Sequence, residues 1–134
     1  MPIIEGTTSV KTAVGEYDFA VDGGAISSIT LRSSTSLPAS VPTGAVIISG
    51  YIEVDTLLTS GGAATVGITL ESAGDIFAPI TVAGAPWSTT GRKSIIPVGT
   101  GAASVKTTAA RNIVAVIAAF AVTAGKFRIV LVYR

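Results

Sequence analysis

The sequence contains no histidine and no cysteine among its 134 residues. Without histidine it lacks the commonest general base and a common metal ligand. Without cysteine it can form no disulfide, so the redox compartment cannot be inferred from the sequence. A serine or threonine nucleophile needs an activating base, and no Ser-x-x-Lys motif is present to supply one. We therefore expect no enzymatic activity, no catalytic residue and no cofactor.

Charged residues are scarce. They make up 13% of the chain, whereas 49% is hydrophobic, and the net charge is +1. Typical soluble domains carry about 25% charged residues. So small a net charge offers no electrostatic basis for binding nucleic acid. A monomer with so few charges would expose apolar surface and unprotected strand edges, so we expect other subunits to cover much of it.

A long uninterrupted apolar segment is also missing. The run from Ile113 to Val122 is broken soon afterwards by Gly125 and Lys126. A membrane-spanning helix needs roughly 20 apolar residues, and charges within it are costly. The start of the chain has neither the basic residues nor the apolar segment of a signal peptide. The sequence therefore predicts no membrane association.

Alternating side chains are the main structural signal. In "FRIVLVYR", Phe127, Ile129, Leu131 and Tyr133 share one face, which is the period of a β-strand. Similar segments recur along the chain, separated by glycine-containing turn signals. Such a pattern predicts eight to ten strands in a sandwich or barrel. We expect an all-β, single-domain antiparallel β-sandwich, jelly-roll-like in preference to immunoglobulin-like, and a helix over 113–122 remains the local alternative.

Three turn signals predict hairpins. They are "DGG" at 22–24, "TSGGA" at 59–63 and "TAG" at 123–125. The first would join the strand "EYDFAVD" to "AISSITLRS". The inward faces of the later strands predict a buried core, which consists of Val46, Ile48, Ile52, Val54, Val66, Ile68, Leu70, Ile129 and Leu131.

The chain divides into two predicted parts. Residues 1–15 have few apolar side chains and are expected to form an extended N-terminal arm, and residues 16–134 form the β-sandwich domain. Ile3 and Ile4 are among the few residues that could anchor the arm. We expect the arm to lie along a neighbouring subunit or along the capsid.

Paired carboxylates are the first candidate for chemistry. Glu16 and Asp18 share one strand face, as do Glu53 and Asp55. Two carboxylates can serve a glycosidase or bind Ca²⁺, but no EF-hand spacing is present. Acids two positions apart are also typical of an exposed strand face, and we prefer that interpretation. No metal site is predicted.

Five further residues are candidates for partner binding. Trp87 lies in a predicted loop beside Arg92 and Lys93; its ring could plug an open end of the sandwich, contact a subunit or stack on a sugar. Arg128 and Arg134 lie on the same face of the last strand as Val130 and Val132. The cationic stems could simply cover these valines. Alternatively, Arg128 could anchor the face on an acidic partner, because its planar fork pairs bidentately with carboxylates.

The segment from Gly44 to Arg134 resembles the head-decoration, or cement, proteins of tailed bacteriophages. The resemblance rests on "GAVIISGYIEV", "GGAATVGITLESAGDIFAP", "IIPVG" and the closing "VTAGKFRIVLVYR", and covers about two thirds of the chain. It implies a β-rich virion protein that binds the outer face of the capsid, contacts the major capsid protein and forms a homotrimer. It implies no active-site residues. A phage tail, neck or fibre-base protein and a carbohydrate-binding module are the alternatives.

Overall fold

The computed structural model describes residues 10–34, 36–95 and 105–134. These residues form eleven strands and one short helix. The elements are β1 (Lys11–Asp18), α1 (Phe19–Asp22), β2 (Ser27–Thr30), β3 (Arg32–Ser33), β4 (Ser40–Val41), β5 (Ile47–Ser60), β6 (Thr65–Thr69), β7 (Phe77–Thr81), β8 (Gly91–Ile95), β9 (Arg111–Asn112), β10 (Val114–Ala118) and β11 (Val122–Tyr133). Over the same ranges, no helix has the length and apolarity needed to cross a bilayer.

The strands form two main sheets. Sheet A has the order β3-β1-β11-β5-β8, sheet B has the order β2-β10-β6-β7, and β4 pairs with β9 in a small third sheet. All these pairs are antiparallel.

The pairing of the eight principal strands is nested. When β3, β4 and β9 are set aside, the first strand pairs with the last, β1 with β11, and the second with the seventh, β2 with β10. The third pairs with the sixth, β5 with β8, and the fourth with the fifth, β6 with β7. Such nesting is the signature of a jelly roll, in which a folded ribbon of strand pairs wraps into two sheets. The predicted jelly-roll-like sandwich is confirmed.

The core lies between the two sheets. On β11 the predicted alternation is confirmed, since Phe127, Ile129, Leu131 and Tyr133 are all buried. Its aromatic part is continuous: the ring of Tyr17 stacks on Phe127 at 5.1 Å between centroids, and Trp87 lies 4.8 Å from Phe127. The Tyr17 hydroxyl donates to the carbonyl of Gly23 at 2.6 Å, and burial, followed by Asp22 and Asp18, raises its pKa to about 12.

None of the three hairpins forms as predicted. After "DGG" the chain enters β2, which pairs with β10 in sheet B, and only the later β3 pairs with β1. The segment at 61–64 joins β5 in sheet A to β6 in sheet B, and the segment at 119–121 joins β10 in sheet B to β11 in sheet A. "TAG" lies inside β11, where the pairing with β5 shifts register on both sides of Ala124. A glycine-rich segment reverses the chain equally well within a sheet or across a sandwich, so the turn signal alone does not choose the partner strand.

The first strand begins earlier and ends earlier than predicted. Lys11–Gly15, assigned above to the arm, belong to β1, which pairs with β11 from Lys11 to Asp18. The predicted strand does not continue past Asp18, because its carboxylate caps α1 by accepting from the backbone N–H of Ala20 at 3.0 Å. Residues 1–9, with Ile3 and Ile4, lie outside the described residues.

The predicted core is confirmed at seven of nine positions. Ile48 is wrong, with 46% of its surface exposed, and Val46 is only half-buried. The cause is a bulge: Ser49 pairs with Val132 and Ile47 with Tyr133, so Ile48 is an extra residue on β5. A bulge reverses the inward and outward alternation of the residues before it, and Ile47 is therefore buried instead.

Candidate functional site: the charged outer face of sheet A

Five charged residues form one line across the outer face of sheet A. In register from β3 to β8, they are Arg32, Glu16, Arg128, Glu53 and Arg92. The sign of the charge alternates at every strand. Directly opposed charges of unlike sign stabilise a sheet by roughly 0.2–1 kcal/mol per pair. We call this line the charge row.

Arg128 is the centre of the charge row, and its guanidinium binds acids of its own chain. It donates from both Nε and Nη2 to the two carboxylate oxygens of Asp55, each at 3.3 Å. It also lies 3.4 Å from the Glu53 carboxylate. The hydrogen bond to Asp55 is the main cause of its raised pKa. The acidic partner predicted for Arg128 is thus available within the chain.

Arg92 extends this network onto the edge strand. Its Nη2 donates to the Glu53 carboxylate at 3.2 Å, so Glu53 is shared between Arg92 and Arg128. The guanidinium carbon also lies 4.2 Å from the centre of the Tyr51 ring. A cation over an aromatic face at this distance contributes roughly 0.5–1 kcal/mol at exposed sites. The guanidinium of Arg92 is therefore held on two sides.

Arg32 closes the other end of the charge row. It binds Asp22 of α1 through Nε at 3.1 Å and Nη2 at 3.2 Å. The Asp22 side chain is only 9% exposed and also accepts from the backbone N–H of Asp18 at 2.8 Å. The hydrogen bond to Asp22 is the largest cause of the raised pKa of Arg32.

Two shallow cavities lie along the charge row. The larger, of about 380 Å³, is lined by Glu16, Arg32, Asp55, Lys126 and Arg128, together with Tyr17 and Phe127. The smaller, of about 220 Å³, shares Glu16 and Arg128 with it and reaches Tyr51 and Arg92. Within the part of the chain described, no three acidic side chains come together as a metal site. The oriented guanidinium and carboxylate groups that line these cavities can bind charged groups of a partner.

Trp87 is not a surface contact. It is fully buried, its Nε1 donates to the carbonyl of Val66 at 3.2 Å, and its ring meets Phe77 edge to face at 5.8 Å. The predicted partner-binding role of Trp87 is therefore wrong, because the indole has no exposed surface to offer. Of the three alternatives, the plug within the sandwich is what the structure shows.

The remaining candidate residues lie apart from the charge row. The Lys93 ammonium donates to the carbonyl of Thr89. Arg134 follows β11 and exchanges two backbone hydrogen bonds with Val46, at 3.0 and 3.1 Å. Neither contact brings these cations to Arg128.

Sequence reasoning missed a second charged cluster. Glu71, just after β6, accepts from Arg111 Nε at 2.8 Å and from the Thr108 hydroxyl at 2.7 Å. Arg111 is the largest cause of a pKa of about 2 for Glu71. The residues are 37 and 40 positions apart, so no local motif could have revealed them.

Chains from three solved phage capsids share this fold. A chain from the capsid of Ralstonia phage GP4 matches with a TM-score of 0.64 and 17% identity, over 99% of this chain and 88% of that one. A chain from the cyanophage Pam1 capsid asymmetric unit matches at 0.61 and 21% identity, over 93% and 84%. One from the acid-stable capsid of Helicobacter pylori bacteriophage KHP30 matches at 0.60 and 13% identity, over 92% and 86%. At identities this low, the structural matches establish a shared fold.

No protein-family model matches the sequence, and the comparison with curated proteins found no significant match.

Proposed function

We propose that this chain is a structural subunit of a bacteriophage capsid, located in the virion. The observation that carries the proposal is the jelly roll it shares, over nearly its whole length, with chains from three phage capsids. Jelly rolls serve as viral capsid domains and also as lectin domains. The burial of Trp87 removes the aromatic that the sequence offered for stacking on a sugar, so the capsid role is favoured over glycan binding.

Within that role, we propose that the chain is a decoration, or cement, subunit. It would form a homotrimer, bind the outer face of the head and bridge adjacent copies of the major capsid protein. A single small domain suits this task, since each contact need be only modest: linked contacts gain from high effective concentration. Because the charge row pairs internally, its side chains are oriented before any partner arrives. The role needs neither catalysis, a cofactor, a membrane nor nucleic acid.

Two parts of the chain are proposed to contact the shell. One is the segment 1–9, where Ile3 and Ile4 could fill apolar sites on a neighbour. The other is the charge row on the outer face of sheet A, with Arg92 and Arg128; Lys93 and Arg134, which lie apart from that row, are proposed as further contacts. Burying an isoleucine side chain contributes roughly 1.5–3 kcal/mol, so the two in the segment 1–9 are expected to matter more than exposed ion pairs, which contribute about 0–1 kcal/mol each.

Binding to empty heads tests the proposal. Heads of the phage that encodes this chain, assembled without it, are mixed with purified protein and sedimented. We expect saturable binding at a fixed ratio to the major capsid protein. A variant that lacks residues 1–9 should unfold at the same temperature, since β1 and the core remain, but bind at least about tenfold more weakly. Absence of the intact protein from the pelleted heads would reject the cement role.

Imaging distinguishes a position on the head from the alternative position in the tail or neck. Gold-labelled antibody against the chain should decorate the head of intact virions. Labelling confined to the tail or neck would retain a virion protein but overturn the proposed location.

A further inference from the structure

The shortage of charge in this protein is concentrated in sheet B. Its four strands read "SSIT", "TVGIT", "FAPIT" and "VAVIA" and contain no charged residue. Sheet A, in contrast, has the charge row, with Asp55 and Lys126 beside it. The outer face of sheet A is therefore strongly hydrated, whereas the four strands of sheet B, all within the described residues, have no ionic group to hold water.

The outer face of sheet B is built from small and β-branched side chains. Register places Thr30, Val114 and Thr69 in one line across the strands, and Ser28, Val116 and Gly67 in the next. Pro79 covers Gly67 so closely that a Cβ there would lie 2.9 Å from its ring. Val114 and Val116, on the central strand β10, are half-buried. The outer face of sheet B is therefore made of short side chains, those of threonine, serine and valine.

One edge of sheet B also lacks the usual protection. Natural edge strands are blunted by charged residues, proline or short length. In sheet A, β8 carries Arg92 and Lys93 and β3 has only two residues. In sheet B, β7 contains Pro79, but β2 has four uncharged residues and no proline, and three of them are exposed. This edge is open to another subunit.

We propose that a second copy of this chain covers the outer face of sheet B. A charged partner surface would lose its hydration against this face and gain no opposite charge in return. Around the proposed three-fold axis, the sheet B surfaces of neighbouring copies bring no charge, so burying them against one another removes apolar and hydroxyl groups alone from water. The inference rests on the proposed homo-oligomer and identifies its interface.

The outer face of sheet B is too small to form a stable interface alone, so the proposed interface includes the neighbouring loops. Four strands at about 4.8 Å spacing and five residues at about 3.3 Å give a footprint of roughly 300 Å². A stable interface buries about 800 Å² on each partner. The adjoining end of the sandwich can supply the difference. Exposed Ile26 and Phe120, at 59% and 50%, lie in its loops, and Ile80, at 38%, lies near the end of β7.

These loops are held together as one surface. The backbone N–H of Val122 donates to the carbonyl of Gly24 at 2.8 Å, which ties the start of β11 to the segment before β2. The Phe120 ring lies against Gly62, in the β5–β6 connection. Ala119, at φ +70°, holds the strained turn before Phe120. The interface we propose thus combines sheet B with the loops that carry Ile26 and Phe120.

Matched lysine substitutions on the two sheets test the interface. Val116 of β10 and Val130 of β11 are both half-buried valines that point outward, one from each sheet. By light scattering at micromolar concentration, we expect an oligomer for the parent and for Val130→Lys. Val116→Lys should associate at least about 100-fold more weakly, because the new charge would be buried without a partner.

The controls separate folding from association. Both variants should keep the parent's circular dichroism, and Ser28→Arg, at an exposed site on β2, provides a second variant should Val116→Lys fail to fold. A monomeric parent, or sheet B variants that associate as the parent does, would overturn the interface. Binding to heads is scored separately, so a monomer that still decorates heads would reject this interface and the homotrimer but leave the cement role standing.

Discussion

At the scale of single residues, Ile47 and Ile48 are neighbours with opposite environments. Ile47 is 5% exposed and Ile48 is 46% exposed. A hydrophobicity pattern cannot separate them, because both are isoleucines within one apolar run. The bulge opposite Tyr133 decides which of them enters the core, and this pairing lies 86 positions away in the chain. Burial on regular strands was therefore predictable from the sequence, but burial beside the bulge was not.

Truncating isoleucines tests this assignment. Ile68 is fully buried, so Ile68→Ala should lower the free energy of unfolding by roughly 2–5 kcal/mol. Ile48→Ala removes the same atoms from an exposed site and should cost under about 1 kcal/mol. Urea denaturation followed by tryptophan fluorescence measures both. Equal losses for the two variants would contradict the position of the bulge.

Glu71 gives a residue-scale prediction about pH. Its pKa falls from an ordinary 4.5 to about 2, first because Arg111 binds its carboxylate and then because Thr108 does. A pKa that folding lowers contributes stability above the unfolded value, and this contribution is lost as pH falls through the folded value. The contribution of Glu71 should thus be complete above about pH 4.5 and disappear towards pH 2.

Comparison with Glu71→Gln isolates this effect. The difference in melting temperature between the parent and the variant should shrink as the pH is lowered from 5 to 2. Over this range the Glu71 carboxylate of the parent becomes protonated and its ion pair with Arg111 is lost. Arg111→Gln should behave in the same way. A constant difference across this range would show that the ion pair does not contribute through its charge.

At the scale of elements, the strands were more predictable than their connections. Strand periodicity depends on neighbouring residues, so β5, β6 and β11 were recognised in the sequence. The partner of each strand depends on the nested order of the whole ribbon, which no turn of four residues can encode. For the same reason the charge row was hidden: Arg128 and Asp55 lie 73 positions apart. Only the exposure of Arg128 on the outer face could be deduced.

Gly125 is the element-scale test of β11. It has φ +142°, and a Cβ there would lie 2.7 Å from the Leu58 side chain and 2.9 Å from its Cα. Gly125→Ala should therefore cost about 1–3 kcal/mol or more. Gly61→Ala is the matched control, because a Cβ at Gly61 meets nothing within 4 Å. If the two variants unfold at the same denaturant concentration, the irregular pairing of β11 with β5 is misplaced.

At the scale of the whole molecule, the two faces of the sandwich explain the unusual composition. Charged residues make up 13% of the chain. Most of those described lie on sheet A or at the Glu71–Arg111 cluster, and the strands of sheet B contain none. Composition alone indicated a subunit that others cover, but not which side they cover. The proposal that sheet B is the covered side depends on the register, which brings residues from separate strands onto one surface.

The proposed location of this chain is the outside of a phage head. A reconstruction of the intact virion by electron microscopy tests it most directly. We expect density for the jelly roll on the outer surface of the shell, with copies related by a three-fold axis and sheet B turned towards neighbouring copies. A head whose density is fully accounted for by other proteins, with no jelly roll of this sequence on its outer surface, would contradict the account.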